Sequence, residues 1–219
     1  IEGLTFTHPT GSPRQYCIYG QDAANFTIRN CKFPEGHAPI FIAQGSTNFL
    51  VTENDIRGGN AGIVTGGGRA YISGQSDAGS GNTYITVPTG HGCPQGAASP
   101  VVIRGTDNYD GSYNADAVTS TTIRIVKAYV GDDGAKGRIA FSKSTRMVDG
   151  GIISDNRMQG TNSEGIDLNY NNKNITVSNN YILMDSSAPD EEGIDIGGGE
   201  QTGIVVSGNI IDLNSVGCT

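Results

Sequence analysis

A short apolar pattern recurs along this chain, and its spacing constrains the fold more than any other feature. An apolar residue is followed three positions later by Asn or a substitute, and two positions further by another apolar residue. The pattern falls at residues 1–6, 28–33, 51–56, 153–158, 177–182 and 206–211, with Leu4, Cys31, Asn54, Asn156, Asn180 and Asn209 in the fourth place. A second pattern, usually Gly-Ile, places Ile18, Ile40, Ile63, Ile166 and Ile194. Ile18, Ile40, Ile166 and Ile194 precede a copy of the first pattern by 10 to 12 residues, whereas Ile63 precedes Ile153 by 90. A unit this short carries strands that cannot bury their own inward faces. Stacking the units in parallel buries the Ile, Val and Phe positions in columns and pairs each backbone group with the unit above or below. An Asn repeated in one column can form a side-chain ladder along the stack, and Asn tolerates the left-handed backbone of a sharp corner.

Composition agrees. Gly makes up 33 of the 219 residues and only 16 % of residues are charged, so long helices are disfavoured, and coiled coils and helical bundles with them. A β-sandwich of irregular hairpins would explain the alternation but not the matched columns. The columns resemble the right-handed parallel β-helix of the pectate-lyase-like superfamily, over residues 1–66 and 146–219. The expected fold is therefore all-β, a right-handed parallel β-helix of about five coils. Apolar strands at the first and last positions predict that further chain or partner chains cover the ends of the stack.

Residues 67–145 break the period and form an expected second unit. Their alternating runs (84–87, 101–103, 115–126 and 138–141) lie between turn signals such as Asp110-Gly111. A small antiparallel β-module of four to six strands is expected, looped out between two strands of one coil. The stretch 101–113, followed by 117–125, is similar to a β-module common in phage tail proteins. Insertions of this length are usually functional or independently folded, and two readings stand side by side for this one: a wall along one side of a groove, or a separate domain without a binding role.

Strand alternation puts the residue after each Gly-Ile on the outside. That column reads Tyr19, Phe41, Val64, Asp167 and Asp195, and two residues before each Ile stand Tyr16, Ala38, Ala61, Glu164 and Glu192. If the near copies 163–167 and 191–195 stack, Asp167 and Asp195 lie about 4.8 Å apart along the sheet, and Glu164 and Glu192 likewise. Paired carboxylates at about 5 Å suit a retaining glycosidase and at about 6.5–9.5 Å an inverting one. Crowding of like charges splits such a pair into an acid and a base. Glu164, Asp167, Glu192 and Asp195 are the candidate catalytic residues. Tyr19 and Phe41 are candidate sugar contacts, since aromatic faces pack on apolar sugar faces; packing under a neighbouring subunit is the equal alternative for them and for Tyr16.

Residues 162–167 also resemble the Asn-Thr-Asp-Gly-Ile-Asp motif of polygalacturonase-type β-helical hydrolases. That resemblance implies Glu164 in place of the catalytic Asp, with Asp190 and Glu191 as the acid pair. The later Gly-His and Arg-Ile-Lys of that family are missing from the sequence. Solvated turn formers are the plainer reading of these acids. No cofactor is expected; the alternative is Ca²⁺ at the acidic corner, with Asn169 and backbone carbonyls as oxygen ligands. Lyases of the superfamily pair Ca²⁺ with a basic residue, for which Arg57 and Arg157 stand near strand ends.

Other residues are less pointed. His8, His37 and His91 are dispersed beside Gly or Pro and read as surface residues. Cys17, Cys31, Cys93 and Cys218 have neither zinc nor disulfide-framework spacing, and Cys17 and Cys31 read as buried thiols. Gly66–Gly68 and Gly197–Gly199 have no following helix and read as tight corners rather than phosphate loops. The net charge of −8 disfavours nucleic acid and anionic membranes, and no apolar run reaches the ~18 residues of a membrane span. No signal-peptide pattern stands at the start, and the chain reads as a piece of something longer. The combined expectation is a phage tailspike-like β-helix on a virion tail or otherwise extracellular. It would bind, and hydrolyse, a bacterial surface polysaccharide, and the resemblance implies a homotrimer. The rivals are a secreted polysaccharide lyase or hydrolase and a non-catalytic glycan-binding adhesin or structural fibre.

Overall fold

The repeat spacing sends the chain repeatedly through three parallel sheets. The computed structural model describes residues 1–6, 16–34, 38–59, 61–66, 69–89, 91, 93, 99–141, 145–161, 163–184 and 192–213. The first sheet stacks Ile18–Gly20, Ile40–Ala43, Ala61–Gly66, Glu164–Asn169 and Glu192–Gly197 in that order. The second stacks Ala24–Arg29, Thr47–Thr52, Val148–Ser154 and Asn172–Ser178, the last of which pairs with both Gln201–Thr202 and Val205–Ser207. The third runs Lys32–Phe33, Asp55–Arg57, Arg157–Thr161, Tyr181–Met184 and Ile210–Leu213. The chain visits the first, second and third sheets in turn and then returns to the first. The described residues form an all-β structure without helix, consistent with a β-helix.

The columns foreseen from spacing are in register. Ile18 faces Ile40, Ile40 faces Ile63, Ile63 faces Ile166 and Ile166 faces Ile194. The interior also holds Ile28, Val51, Ile153 and Val177 from the second sheet, and Phe33, Ile56, Met158 and Ile182 from the third, all buried. Each large side chain so buried contributes roughly 1.5–3 kcal/mol relative to exposure. Together these columns are the main apolar stabilisation of the stack.

The glycine of the Gly-Ile pattern has a steric origin. A Cβ on Gly62 would lie 2.6 Å from the carbonyl oxygen of Gly165, and one on Gly165 would lie 2.7 Å from that of Gly193 and collide with Ile182. Only glycine lets the first sheet approach the third this closely.

The asparagine ladder is present. Asn54 Nδ2 donates to Asn156 Oδ1 at 2.9 Å, Asn156 Nδ2 to Asn180 Oδ1 at 3.0 Å and Asn180 Nδ2 to Asn209 Oδ1 at 2.9 Å. The left-handed backbone, however, falls one residue earlier, at Asn30, Glu53, Asp155, Asn179 and Gly208. The ladder asparagines therefore serve as buried hydrogen-bond hubs, and their neighbours make the corner.

The chain leaves the first sheet after Gly66 and builds an antiparallel sheet of seven strands. Their order is Arg69–Tyr71, Arg138–Phe141, Ser99–Arg104, Gly111–Val118, Thr122–Ile125, Asn82–Thr86 and Gly74–Gly79. This exceeds the four to six strands expected. The run 115–126 is split by a turn into two strands. Gly74–Gly79 is too polar and glycine-rich to show alternation, yet it pairs along Asn82–Thr86. The module has its own core around Ile85, Ile103, Tyr109, Ile123, Ile139 and Phe141.

Candidate functional site

The outer face of the first sheet carries the candidate residues, and register aligns them. Tyr19 faces Phe41, Phe41 faces Val64, Val64 faces Asp167 and Asp167 faces Asp195. Ala61 faces Glu164, which faces Glu192. Adjacent parallel strands lie roughly 4.8 Å apart, so Tyr19 and Asp167, three spacings apart, are separated by roughly 14 Å along the sheet.

Facing outward does not leave the middle of this column exposed. Phe41, Val64, Ala38, Ala43 and Ala61 are buried in a second apolar cluster outside the main core, with Tyr16 packed against it. Phe41 is only 7 % exposed, whereas Tyr19 is 48 % exposed. The Tyr16 and Phe41 rings stack at 4.8 Å between centroids, and those of Tyr19 and Phe41 at 5.5 Å. Phe41 is thus the floor of an aromatic platform whose accessible face is Tyr19.

The inserted module supplies the facing wall. A cavity of about 170 Å³ is lined by Tyr16, Tyr19, Gln21, Phe41 and Gln44 from the parallel part and by Tyr71, Pro88, Thr89, His91 and Arg138 from the module. Tyr19 donates its hydroxyl to Gln21 Oε1 at 2.9 Å. Burial pushes the Tyr19 phenol above its ordinary value, with Tyr71 and Tyr16 adding to the shift and Arg138 and Arg146 opposing it. The phenol therefore stays protonated as a donor at neutral pH. Arg138 lies 4.9 Å from the centroid of the Tyr71 ring. Gln44 is 7 % exposed, and its Oε1 has no hydrogen-bond partner among the described residues. A buried acceptor left without a partner costs free energy that a ligand hydroxyl would recover.

Sequence reasoning missed Gln44, Tyr71 and Arg138. Gln44 sits three residues after Phe41 at a strand end, where alternation lapses. Tyr71 and Arg138 enter the site only through the fold of the module, which no short-range pattern encodes.

The acids form the far end of the same face. Asp167 is 7 % exposed and accepts from Asn169 Nδ2 at 3.0 Å. Asp195 and Glu164 are half-buried, and Glu192 is exposed. Asn162, Asp190 and Glu191, the polygalacturonase-like acid pair among them, lie outside the described residues. Among the described residues, no three His, Cys, Asp or Glu side chains come together as a metal site.

Several secondary expectations change. Arg57 and Arg157 lie on the third sheet, away from the acids. Arg57 pairs with Asp55 at 3.1 Å, and Arg157 lies 5.6 Å from the Tyr181 ring centroid. His91 is buried rather than superficial. Its Nδ1 accepts from the Cys93 amide at 3.0 Å and its Nε2 faces the Thr119 carbonyl at 2.9 Å, so both ring nitrogens hold the module together. Cys31 is buried as expected, and Cys17 only partly. His8, His37, Gly67, Gly68 and Cys218 lie outside the described residues.

No protein-family model and no curated protein matches the chain. Among solved structures it is similar to the tailspike protein gp49 of Pseudomonas phage LKA1, at 16 % identity and a TM-score of 0.23, over 84 % of this chain and 39 % of that one. It is also similar to the Gp54 tailspike of Acinetobacter baumannii bacteriophage AP22, solved in complex with A. baumannii capsular saccharide. That pair shares 11 % identity at a TM-score of 0.24, over 84 % of this chain and 41 % of that one. The chain spans about two-fifths of the length of each tailspike. At these TM-scores neither likeness bears on what this chain binds.

Proposed function

We propose that this chain is a tailspike-like β-helix that binds a bacterial surface polysaccharide in the groove between the aromatic face and the inserted module. The observation that carries the reading is the platform of Tyr16, Tyr19 and Phe41 opposite Tyr71 and Arg138, with the unpartnered Gln44 Oε1 between them. A sugar offers an apolar face to the rings and hydroxyl donors to the glutamine. The rest of the reading belongs to the same proposal: right-handed winding, about five coils, a pectate-lyase-like ancestry and an extracellular place on a virion tail. The phage setting draws on the resemblance of residues 101–125 to a phage tail module. A homotrimer fits the outward apolar residues Ile152 and Val205 on the second sheet.

Hydrolysis is the second half of the proposal. A chain lying on Tyr19 and extending along the sheet would bring a glycosidic bond beside Asp167 and Asp195, with Glu164 and Glu192 at the corner. One carboxyl group of such a pair protonates the leaving oxygen while the other acts as nucleophile or activates water. The purified chain is incubated with a panel of bacterial capsular and lipopolysaccharide glycans, with and without EDTA. Reducing ends are expected from one glycan, with release abolished in Asp167→Asn and Asp195→Asn and binding lost in Tyr19→Ala. EDTA-sensitive release restored by Ca²⁺ would place calcium at the acidic corner. An ultraviolet-absorbing product would mean elimination. Binding without release would leave the adhesin reading.

A further inference from the structure

Tyr71, Arg138 and Arg104 form a row across three neighbouring strands of the module. Tyr71 faces Arg138, and Arg138 faces Arg104. On the adjoining positions Ile103 and Ile139 point into the module core, so the two arginines share the opposite face. There they line a cavity of about 570 Å³ with Tyr71, Val102 and Ala140, and Tyr170 of the parallel part lines it as well. Like charges directly opposite one another across two strands are destabilising. Among the described residues, neither arginine makes an ion pair within 4.0 Å. Asp110 is the carboxylate that feels Arg104, but its oxygens already accept from the Gly105 and Thr106 amides and the Thr106 hydroxyl. Arg104 donates to the Ile103 carbonyl at 3.0 Å and Arg138 to the Tyr71 hydroxyl at 3.2 Å, which among the described residues leaves most of each guanidinium fork unused. Two such forks concentrated on one face, in a chain of net charge −8, make a local site for an oxyanion.

We propose that this cavity is a second subsite, on the module itself, that takes an anionic group of the glycan, a sugar carboxylate or phosphate. Tyr71 and Arg138 line both cavities, so the subsite continues the aromatic groove. The inference rests on the glycan-binding reading above and specifies the chemistry it selects.

The test titrates the ¹⁵N-labelled chain with sodium D-glucuronate, D-glucose 6-phosphate, D-glucose and sodium acetate at constant ionic strength. The Nε–Hε resonances of Arg104 and Arg138 should shift saturably with one or both sugar acids, and the tighter of the two names the group. Glucose and acetate should leave them in place. Arg104→Gln and Arg138→Gln should each weaken the response of the remaining arginine about tenfold, as expected for loss of a charged hydrogen bond. Arginine signals that ignore both sugar acids, or that follow acetate equally, would overturn the subsite. If Tyr19-dependent polysaccharide binding survives that result, the subsite alone fails. If the arginines respond but Tyr19→Ala leaves polysaccharide binding unchanged, the platform fails instead.

Discussion

Asn156 shows how one side chain can hold neighbouring circuits of chain together. Its Oδ1 accepts from the backbone amide and the side-chain Nδ2 of Asn54, while its Nδ2 donates to Val51, Ser154 and Asn180. Removing a buried partner costs roughly 1–3 kcal/mol for each group stranded. Asn156→Ala is therefore expected to lower stability by about 3 kcal/mol or more, read from the midpoint of urea unfolding. An effect within the ordinary surface range would mean that the ladder is incidental. The ladder was legible because four asparagines recur in one place of the pattern. The corner was not, because its positive φ values fall on residues as unlike as Asn30, Glu53, Asp155 and Gly208, and backbone geometry rather than residue type unites them. The same limit hid Gln44, whose importance lies in what its oxygen lacks.

At the scale of strands, the Gly-Ile pattern encoded both pairing and packing. The isoleucines announced the inward column, and the glycines report the narrow gap between the first and third sheets. Gly165→Ala would push a methyl group against Ile182 and the Gly193 carbonyl, so a loss of about 2 kcal/mol is expected from overpacking. A variant as stable as the parent in a thermal melt would show that the gap is wider than described. Strict alternation correctly oriented Tyr19, Phe41 and Asp167 to the outside. It misjudged the exposure of Phe41 and Asp167, because no local pattern reveals what other segments lie over a face. The module's polar strand Gly74–Gly79 escaped notice for the complementary reason: its partner strand, rather than its own residues, makes it a strand.

For the whole molecule, the interval of 90 residues between Ile63 and Ile153 was the decisive clue, since it separated a periodic part from an inserted one. What the interval cannot encode is the facing of the two, and that facing creates the groove. The exposed Ile152 and Val205 stand in one outward line on the second sheet, with Thr176 between them and Leu50 beside Ile152, a largely apolar line suited to self-association. Sedimentation equilibrium should report a trimer that Ile152→Asp dissociates; a monomeric parent would refute that assembly.

The most direct measurement of the central claim is hydrogen exchange by mass spectrometry, with and without the panel polysaccharide that the chain retains. Slowed exchange on the outer face of the first sheet, around Ile18–Gly20, Ile40–Gln44, Asp167 and Asp195, and on the module around Tyr71, Pro88–Thr89, Arg104 and Arg138 is the predicted result. Protection on the outer faces of the second or third sheets, with those segments unchanged, would contradict the account.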